Sequence, residues 1–302
     1  MLVYGISMIR NEADIVRLNV LYNSAVGIEH RLIVDNGSTD GTDRVLKELS
    51  RRDPRIRWTR DDGPYRQTEI HTELAREAYE AGADWVVQID ADEFWYTPNG
   101  DLKSILARSE VGVLRAPVLN FIQRRGQRES SPDALLHMTR RAAKPVGKGA
   151  QDLVESRHLG FVEKKYPRKC ISRPTAEIRI EAGNHKVYDA DGPSENTNKV
   201  FCLHAPLRSR AALVERVRTA GRPAAAGRQP GQGRYRRMLA ELQDEHALEE
   251  HWAANSYEGD FLDVYGEKHA VLFDPRLRDA VAPFLPQSPW RKIYRWLGSL
   301  LR

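Results

Sequence analysis

The sequence predicts an α/β protein with a mostly parallel central sheet, and two features of its first hundred residues carry that prediction. Short β-rich apolar runs alternate with longer amphipathic segments, the sign of βαβ units. Three of the four apolar runs are followed directly by polar clusters. Ligands gather at the carboxyl ends of strands in such sheets, so the clusters fall where a binding site belongs.

Strands are expected at about residues 2 to 8, 30 to 35, 55 to 60 and 84 to 90. Helices fit residues 12 to 25, 41 to 51 and 67 to 81, with apolar positions three or four apart, such as Ile15, Leu18 and Leu21, or Val45, Leu46 and Leu49. After residue 110 come shorter runs at 111 to 118, 135 to 140, 176 to 181 and 200 to 204, separated by Pro, Gly and charge. A helix is expected from Arg208 to about Ala220, then a loop over the Gly-, Pro- and Ala-rich stretch 221 to 233, then a helix near 234 to 252 and a tail. No repeat of solenoid or propeller period is present.

The 302 residues can bury a substantial core. The 47 basic and 42 acidic residues give a formal charge of +5, but residues 1 to 100 hold 18 acidic and 12 basic residues, net −6, which leaves +11 for the rest. A basic half attracts nucleic acid, an anionic membrane or a phosphorylated ligand. Nine arginines lie between Arg208 and Arg237 against the single acid Glu215. Aromatic residues are not interleaved with them as in single-strand binders, which argues against nucleic acid. Cys170 and Cys202 lack the close spacing of a structural zinc site and are expected to be reduced thiols. The apolar start, Leu2 to Ile9, is too short for a secretory core and no stretch is long enough to span a bilayer, so a cytoplasmic location is expected.

The clusters are Arg10-Asn11-Glu12, Asp35-Asn36-Gly37-Ser38-Thr39-Asp40-Gly41-Thr42 and Asp90-Ala91-Asp92-Glu93. Two carboxylates one residue apart, after the apolar run Trp85 to Ile89, can reach one hard cation if the backbone turns there. Oxygen ligands suit magnesium or manganese, and such an ion stabilises charge on a departing diphosphate. An Asp-any-Asp triplet alone is often a solvated turn, but acids placed against a buried strand need a counter-charge. Thr39 and Asp40 are read as helix-capping residues. Asp35 and Asn36 lie nearer the strand end, where they can bind a base or ribose.

Taken together, Ile9-Arg10-Asn11-Glu12-Ala13-Asp14, Ile33-Val34 with the second cluster, and Asp84-Trp85 leading to Ile89-Asp90-Ala91-Asp92-Glu93-Phe94 resemble the GT-A-fold glycosyltransferases of family 2, in a branch with a family-92-like pattern. The resemblance continues more weakly through Gly183-Asn184-His185 and Leu203-His204-Ala205-Pro206-Leu207-Arg208-Ser209, and covers roughly residues 1 to 222. It implies that Asn11 and Glu12 line a nucleotide pocket, that Asp35 contacts base or ribose, that Asp90 and Asp92 serve ribose and metal, and that His204 is a third ligand. The other account of His204 is a core histidine. Asn36 stands where many members have a second Asp, which weakens an assignment of uracil. Arg66 and Arg173 are candidates for the donor phosphates. For the base that takes the acceptor proton the candidates are Glu93 and, second, His185, with Asp152 and Glu155 as further options; Glu93 can instead support the ligands.

The implied organisation is a GT-A domain at 1 to 222, a Rossmann-like nucleotide-sugar half at 1 to 110 and an acceptor-side elaboration at 111 to 222, followed by a helical C-terminal extension at 223 to 302. The implied activity is inverting, manganese- or magnesium-dependent transfer from a nucleotide-diphosphate sugar to a glycan, lipid-linked or other hydroxyl acceptor. The alternatives are a sugar-phosphate nucleotidyltransferase, which wants a Gly-rich basic loop where Arg10-Asn11-Glu12 stands, and a non-catalytic carbohydrate-assembly protein. In the tail, Trp290, Ile293, Tyr294, Leu297, Leu300 and Leu301 share one helical face beside four basic residues and no acid over residues 288 to 302. That suits a helix lying peripherally at an anionic membrane surface, or one docked on the catalytic domain or on a second subunit of a homodimer.

Overall fold

The computed structural model describes residues 1–98, 101–220, 234–242 and 244–285. The chain starts as the sequence predicts: β1 (Val3–Ile9), α1 (Val16–Ala25), β2 (His30–Asp35), α2 (Thr42–Arg52), β3 (Ile56–Arg60), α3 (Gln67–Glu80) and β4 (Trp85–Gln88). The first helix begins later than expected. Asn11 takes a positive φ of 52°, and Glu12 O accepts the Ile15 and Val16 amides, so a turn precedes the helix. Gly41, at φ +97°, opens α2, which carries Asp43 in its first turn and Arg51 and Arg52 in its last, matching the helix dipole at both ends.

β5 (Glu93–Tyr96), α4 (Leu102–Ala107) and β6 (Val113–Ala116) follow. The main sheet has seven strands in the order Ser194–Asn196, β6, Lys169–Ser172, β4, β1, β2, β3. β1 pairs in parallel with β2 and with β4, and β2 with β3, while Lys169–Ser172 runs antiparallel to β4 and β6. The chain reverses its direction of travel across the sheet between β1 and β4. In sheets of this kind the loops at such a reversal part in opposite directions, and the ligand crevice falls at the strands' carboxyl ends.

Both faces of the sheet are buried, as a parallel sheet requires. Trp85, Val87 and Ile89 pack with Leu102, Leu106, Leu114 and Ile171 on one face. Val86 packs with Ile6, Leu32, Ile70, Leu74 and Ala78 on the other.

By its contacts the chain forms two compact units. Among the described residues, one comprises Met1–Leu119 and Tyr166–His204, the other Asn120–Lys165 and the residues from Ala205 on. The boundary expected from sequence lies at residue 222. The contacts divide the chain differently because the strands at 169–172, 194–196 and 201–204 return to sheets of the first unit.

The later segments depart most from expectation. The run 111 to 118 is split at Pro117, which has no amide to donate to a ladder. A 3-10 turn, Pro132–His137, opened by proline, replaces most of the strand expected at 135 to 140. The helix expected over 234 to 252 is two helices, Arg234–Glu241 and Glu245–Ala254, the second capped by Asp244, whose carboxylate accepts the Ala247 amide at 2.7 Å. The region read as a helical extension also holds strands Ser256–Glu258, Phe261–Val264 and Glu267–Phe273. Val264 pairs with Glu267 across a two-residue turn in which Tyr265 and Gly266 both have positive φ, the hairpin geometry that suits strand twist. The 221 to 233 loop and the 288 to 302 tail lie outside the described residues. Among the described residues no helix is long and apolar enough to cross a membrane.

Candidate functional site

At the end of β4 the Glu93 amide donates to Asp90 O at 3.0 Å and closes a four-residue turn. The Glu93 side chain reaches back to accept the Asp90 amide at 3.1 Å. From there β5 runs antiparallel to Phe201–His204, in a register that sets His204 opposite Glu93. That pairing brings the imidazole to the turn, with Nε2 3.6 Å from Asp92 Oδ1. The Tyr166 ring meets His204 edge-on, centroids 5.3 Å apart.

Asp90 is oriented by other groups. Lys169 Nζ lies 2.9 Å from Asp90 Oδ2 and 2.8 Å from Glu93 Oε1, and Gln67 Nε2 donates to Asp90 Oδ1 at 3.3 Å. Burial is the largest effect on Asp90 and would raise its pKa, but the charge and hydrogen bond of Lys169 together with His71 hold the carboxyl below its ordinary value. Burial is the larger effect for Glu93, pushed up to about 7 against the pull of Lys169. Burial also works against the Lys169 charge, yet Asp90 and Glu93 keep its pKa well above the usual lysine value.

The metal set Asp90, Asp92 and His204 is therefore not gathered as three ligands. Among the described residues no group of three or more His, Cys, Asp or Glu side chains is arranged to hold an ion, because Asp90 is turned to Lys169. Asp92 and His204 do face one another, and a separation of 3.6 Å lets one cation about 2.1 to 2.2 Å from each touch both. An oxygen and an imidazole nitrogen suit manganese, so this pair fits a divalent ion as two ligands. Glu93, read first as the general base, is 1% exposed and holds the turn from within rather than facing an acceptor. His185 is half-buried in the Gly183-Asn184-His185 turn, its pKa lowered to about 4 by burial and then by Lys169. A Cβ on Gly183, whose φ is +79°, would come within 3.0 Å of the His185 ring. Neighbouring Asn184 is tied to the buried His71 of α3, Oδ1 to Nδ1 at 2.9 Å.

The first two clusters knit together beside this turn. The Asn11 amide donates to Ser38 Oγ at 2.9 Å, its side-chain Oδ1 accepts the Thr39 amide at 2.8 Å, and the Glu12 amide donates to Thr42 Oγ1 at 2.9 Å. Asp35 is fully buried, accepts the Ser38 amide at 3.1 Å and the Ser38 hydroxyl, and lies 3.3 Å from Arg60. Burial raises its pKa against these bonds. The Asn36 amide group donates to Asp61 O and Gly63 O at 3.0 and 3.2 Å and so braces the loop after β3. Arg66 lies on the same loop, engaged by Asp61 at 3.1 Å and Glu73 at 3.0 Å. Arg173 is not brought to the cluster. It stacks on Trp85, 4.4 Å from the ring centroid, at the opposite end of β4 from the turn, and donates to Ser109 O at 2.9 Å.

Sequence reasoning missed the groups that hold the turn. Asn19 Nδ2 donates to Asp90 O, Ala91 O and Glu93 O at 3.2, 3.0 and 2.8 Å. One helical turn on, Asn23 donates to Glu93 O at 3.1 Å and accepts the Trp95 amide at 3.1 Å. Beneath them Arg31, buried and lowered to about 10 by desolvation, reaches Ser7 Oγ at 3.1 Å and Asn19 Oδ1 at 3.3 Å. It has room only because residue 5 is glycine, where a Cβ would lie 2.8 Å from Arg31 Nε. Asn19 and Asn23 at i and i+4 among buried Leu18, Val20 and Tyr22 were the available signal.

Comparison with known proteins finds partial matches. The model of the family described as Glycosyl transferase family 2 matches residues 28–128, about a third of the chain. Among particular relatives, the chain is similar to a glycosyltransferase family 92 protein of Oryza sativa subsp. japonica, 33% identical over 125 residues, 38% of this chain and 20% of that protein. It is also similar to one of Ricinus communis, 32% identical over 98 residues, 31% of this chain and 17% of that protein. The chain thus spans about a fifth of the length of the curated relatives it matches. Among solved structures, a mannosyltransferase of Pyrobaculum calidifontis in complex with GDP-Man and Mn2+ aligns over 99% of this chain and 79% of its own, at 14% identity and a TM-score of 0.40.

Proposed function

We propose that the protein transfers a sugar from a nucleotide-diphosphate sugar to a hydroxyl acceptor, a glycan or a lipid-linked one, with inversion and with help from a divalent ion. The observation that carries this reading is the facing of Asp92 and His204 at the crevice end of β4, beside the interlocked clusters at Asn11 and Asp35. In this reading Asn11, Glu12 and Asp35 border the nucleotide, Asp90 meets the ribose, and Asp92 with His204 holds the ion. A bound manganese or magnesium ion would supply Lewis-acid stabilisation of the leaving diphosphate. His185 replaces Glu93 as the proposed base, because Glu93 is sealed in the turn while His185 is only half-buried. The tail at 288 to 302 is proposed to sit on an anionic membrane surface at its cytoplasmic side, where a lipid-linked acceptor would be met.

The test is a thermal-shift panel of ADP, GDP, UDP and their sugars with and without Mn2+. A metal-dependent stabilisation by at least one nucleotide is expected, and its absence across the panel overturns the reading. Asp92→Ala should abolish the shift and reduce transfer on the order of 10² to 10³-fold, the usual range for removing one charge-stabilising group.

A further inference from the structure

Lys169 is a buried lysine at the carboxyl end of β4. It opens the strand Lys169–Ser172, whose next residues Cys170 and Ile171 are buried in the core. The antiparallel register, Ile171 opposite Val87, carries it to the crevice end of β4. Its side chain is 5% exposed and that of Glu93 1%. An ammonium in such a place is costly unless its donors are taken by anions. Here Asp90 and Glu93 take them. With Gln67 on the other Asp90 oxygen and the Asp90 amide on the other Glu93 oxygen, both carboxylates are engaged at every oxygen. Asp92 points instead to His204.

We propose that Lys169 is a positioning residue that serves as the resident cation of the acidic turn, balancing Asp90 and Glu93 so that a divalent ion is left to Asp92 and His204. This extends the metal-assisted reading above and rests on it in one respect, the expectation that the wild-type chain binds the ion. A lysine that only cements the fold would leave ion binding unchanged when replaced. A resident cation releases two carboxylates when it is removed, and the turn becomes a stronger ion binder.

The experiment is direct Mn2+ titration of the full chain, followed by electron paramagnetic resonance of the free ion, with folding checked by circular dichroism. Lys169→Met is expected to bind Mn2+ at least tenfold more tightly than wild type, or to take a second ion. The added substitution Asp90→Asn should abolish that gain. Asp90→Asn alone should leave the wild-type Mn2+ affinity within twofold. An unchanged affinity in folded Lys169→Met, or a tenfold loss in Asp90→Asn alone, overturns the proposal. If Lys169→Met does not fold, Lys169→Met/Glu93→Gln, which restores the charge balance, replaces it with the same expected gain. Should wild type bind no Mn2+, the metal-assisted reading fails by itself. A gain of binding in Lys169→Met would still uphold the resident cation, and none would sink it.

Discussion

Two buried polar clusters, one in each unit, show opposite solutions to the same physical problem. In the first unit the turn after β4 keeps charge inside the protein by balancing it, with Lys169 between Asp90 and Glu93. In the second unit His251, 1% exposed, avoids charge altogether. Its Nε2 meets the Tyr235 hydroxyl at 2.9 Å, its Nδ1 the Tyr265 hydroxyl at 3.0 Å, and burial, then Arg157, lowers its pKa to about 4. A neutral, hydrogen-bonded group can be buried at little cost, whereas charges need exact partners and carry chemistry. The contrast separates a candidate site from a structural cluster of equal burial.

The comparison breaks most sharply at Lys169. Lys169→Met strips the counter-charge from two carboxylates and is expected to cost about 3 to 5 kcal/mol in urea unfolding; adding Glu93→Gln should recover much of it. A loss under about 1 kcal/mol would mean that water already reaches the turn and balances it.

The second cluster should respond to pH instead. The folded His251 pKa, about 4, lies below its ordinary value of 6.5. Below pH 6.5 the unfolded chain therefore binds a proton that the native chain refuses. The stability is complete above about 6.5 and is lost as pH falls toward 4, by about 3 kcal/mol in total. His251→Gln should flatten this slope in urea unfolding measured between pH 7 and 4.5, and an unaltered slope would show that His251 is not its source. His185 shifts in the same direction and accounts for part of what remains.

The smallest effect is expected where the turn is held by neutral bonds. Asn19→Ala leaves the Asp90, Ala91 and Glu93 carbonyls short of a donor and should cost about 1 to 3 kcal/mol, together with faster amide hydrogen exchange in the turn and β5. Equal protection in variant and wild type would assign the bracing to Asn23 and the β5 ladder.

The first hundred residues were legible because hydrophobic period and turn chemistry are local. The strands and helices at 3 to 88 match the periodic segments closely, and the three clusters lie in the loops where a parallel sheet puts them. The second unit was less legible, since its strands are short and pair across long separations, as Arg140–Ala142 does with Glu267–Phe273. The hairpin at 261 to 273 did leave a local trace, apolar Leu262 and Val264 alternating with Asp263 before Tyr265-Gly266, that an expectation of helix passed over.

For the site, sequence alone determined which groups stand at the ends of β1, β2 and β4, because strand direction and loop position follow from local pattern. Only the tertiary structure decided what each group faces. His204 reaches Asp92 through an antiparallel register with β5, Lys169 claims Asp90 and Glu93 from a strand some eighty residues away, and Arg173 is drawn off to Trp85. Such partnerships depend on burial and on which charges are left to balance one another, and neither is written in the spacing of residues along the chain.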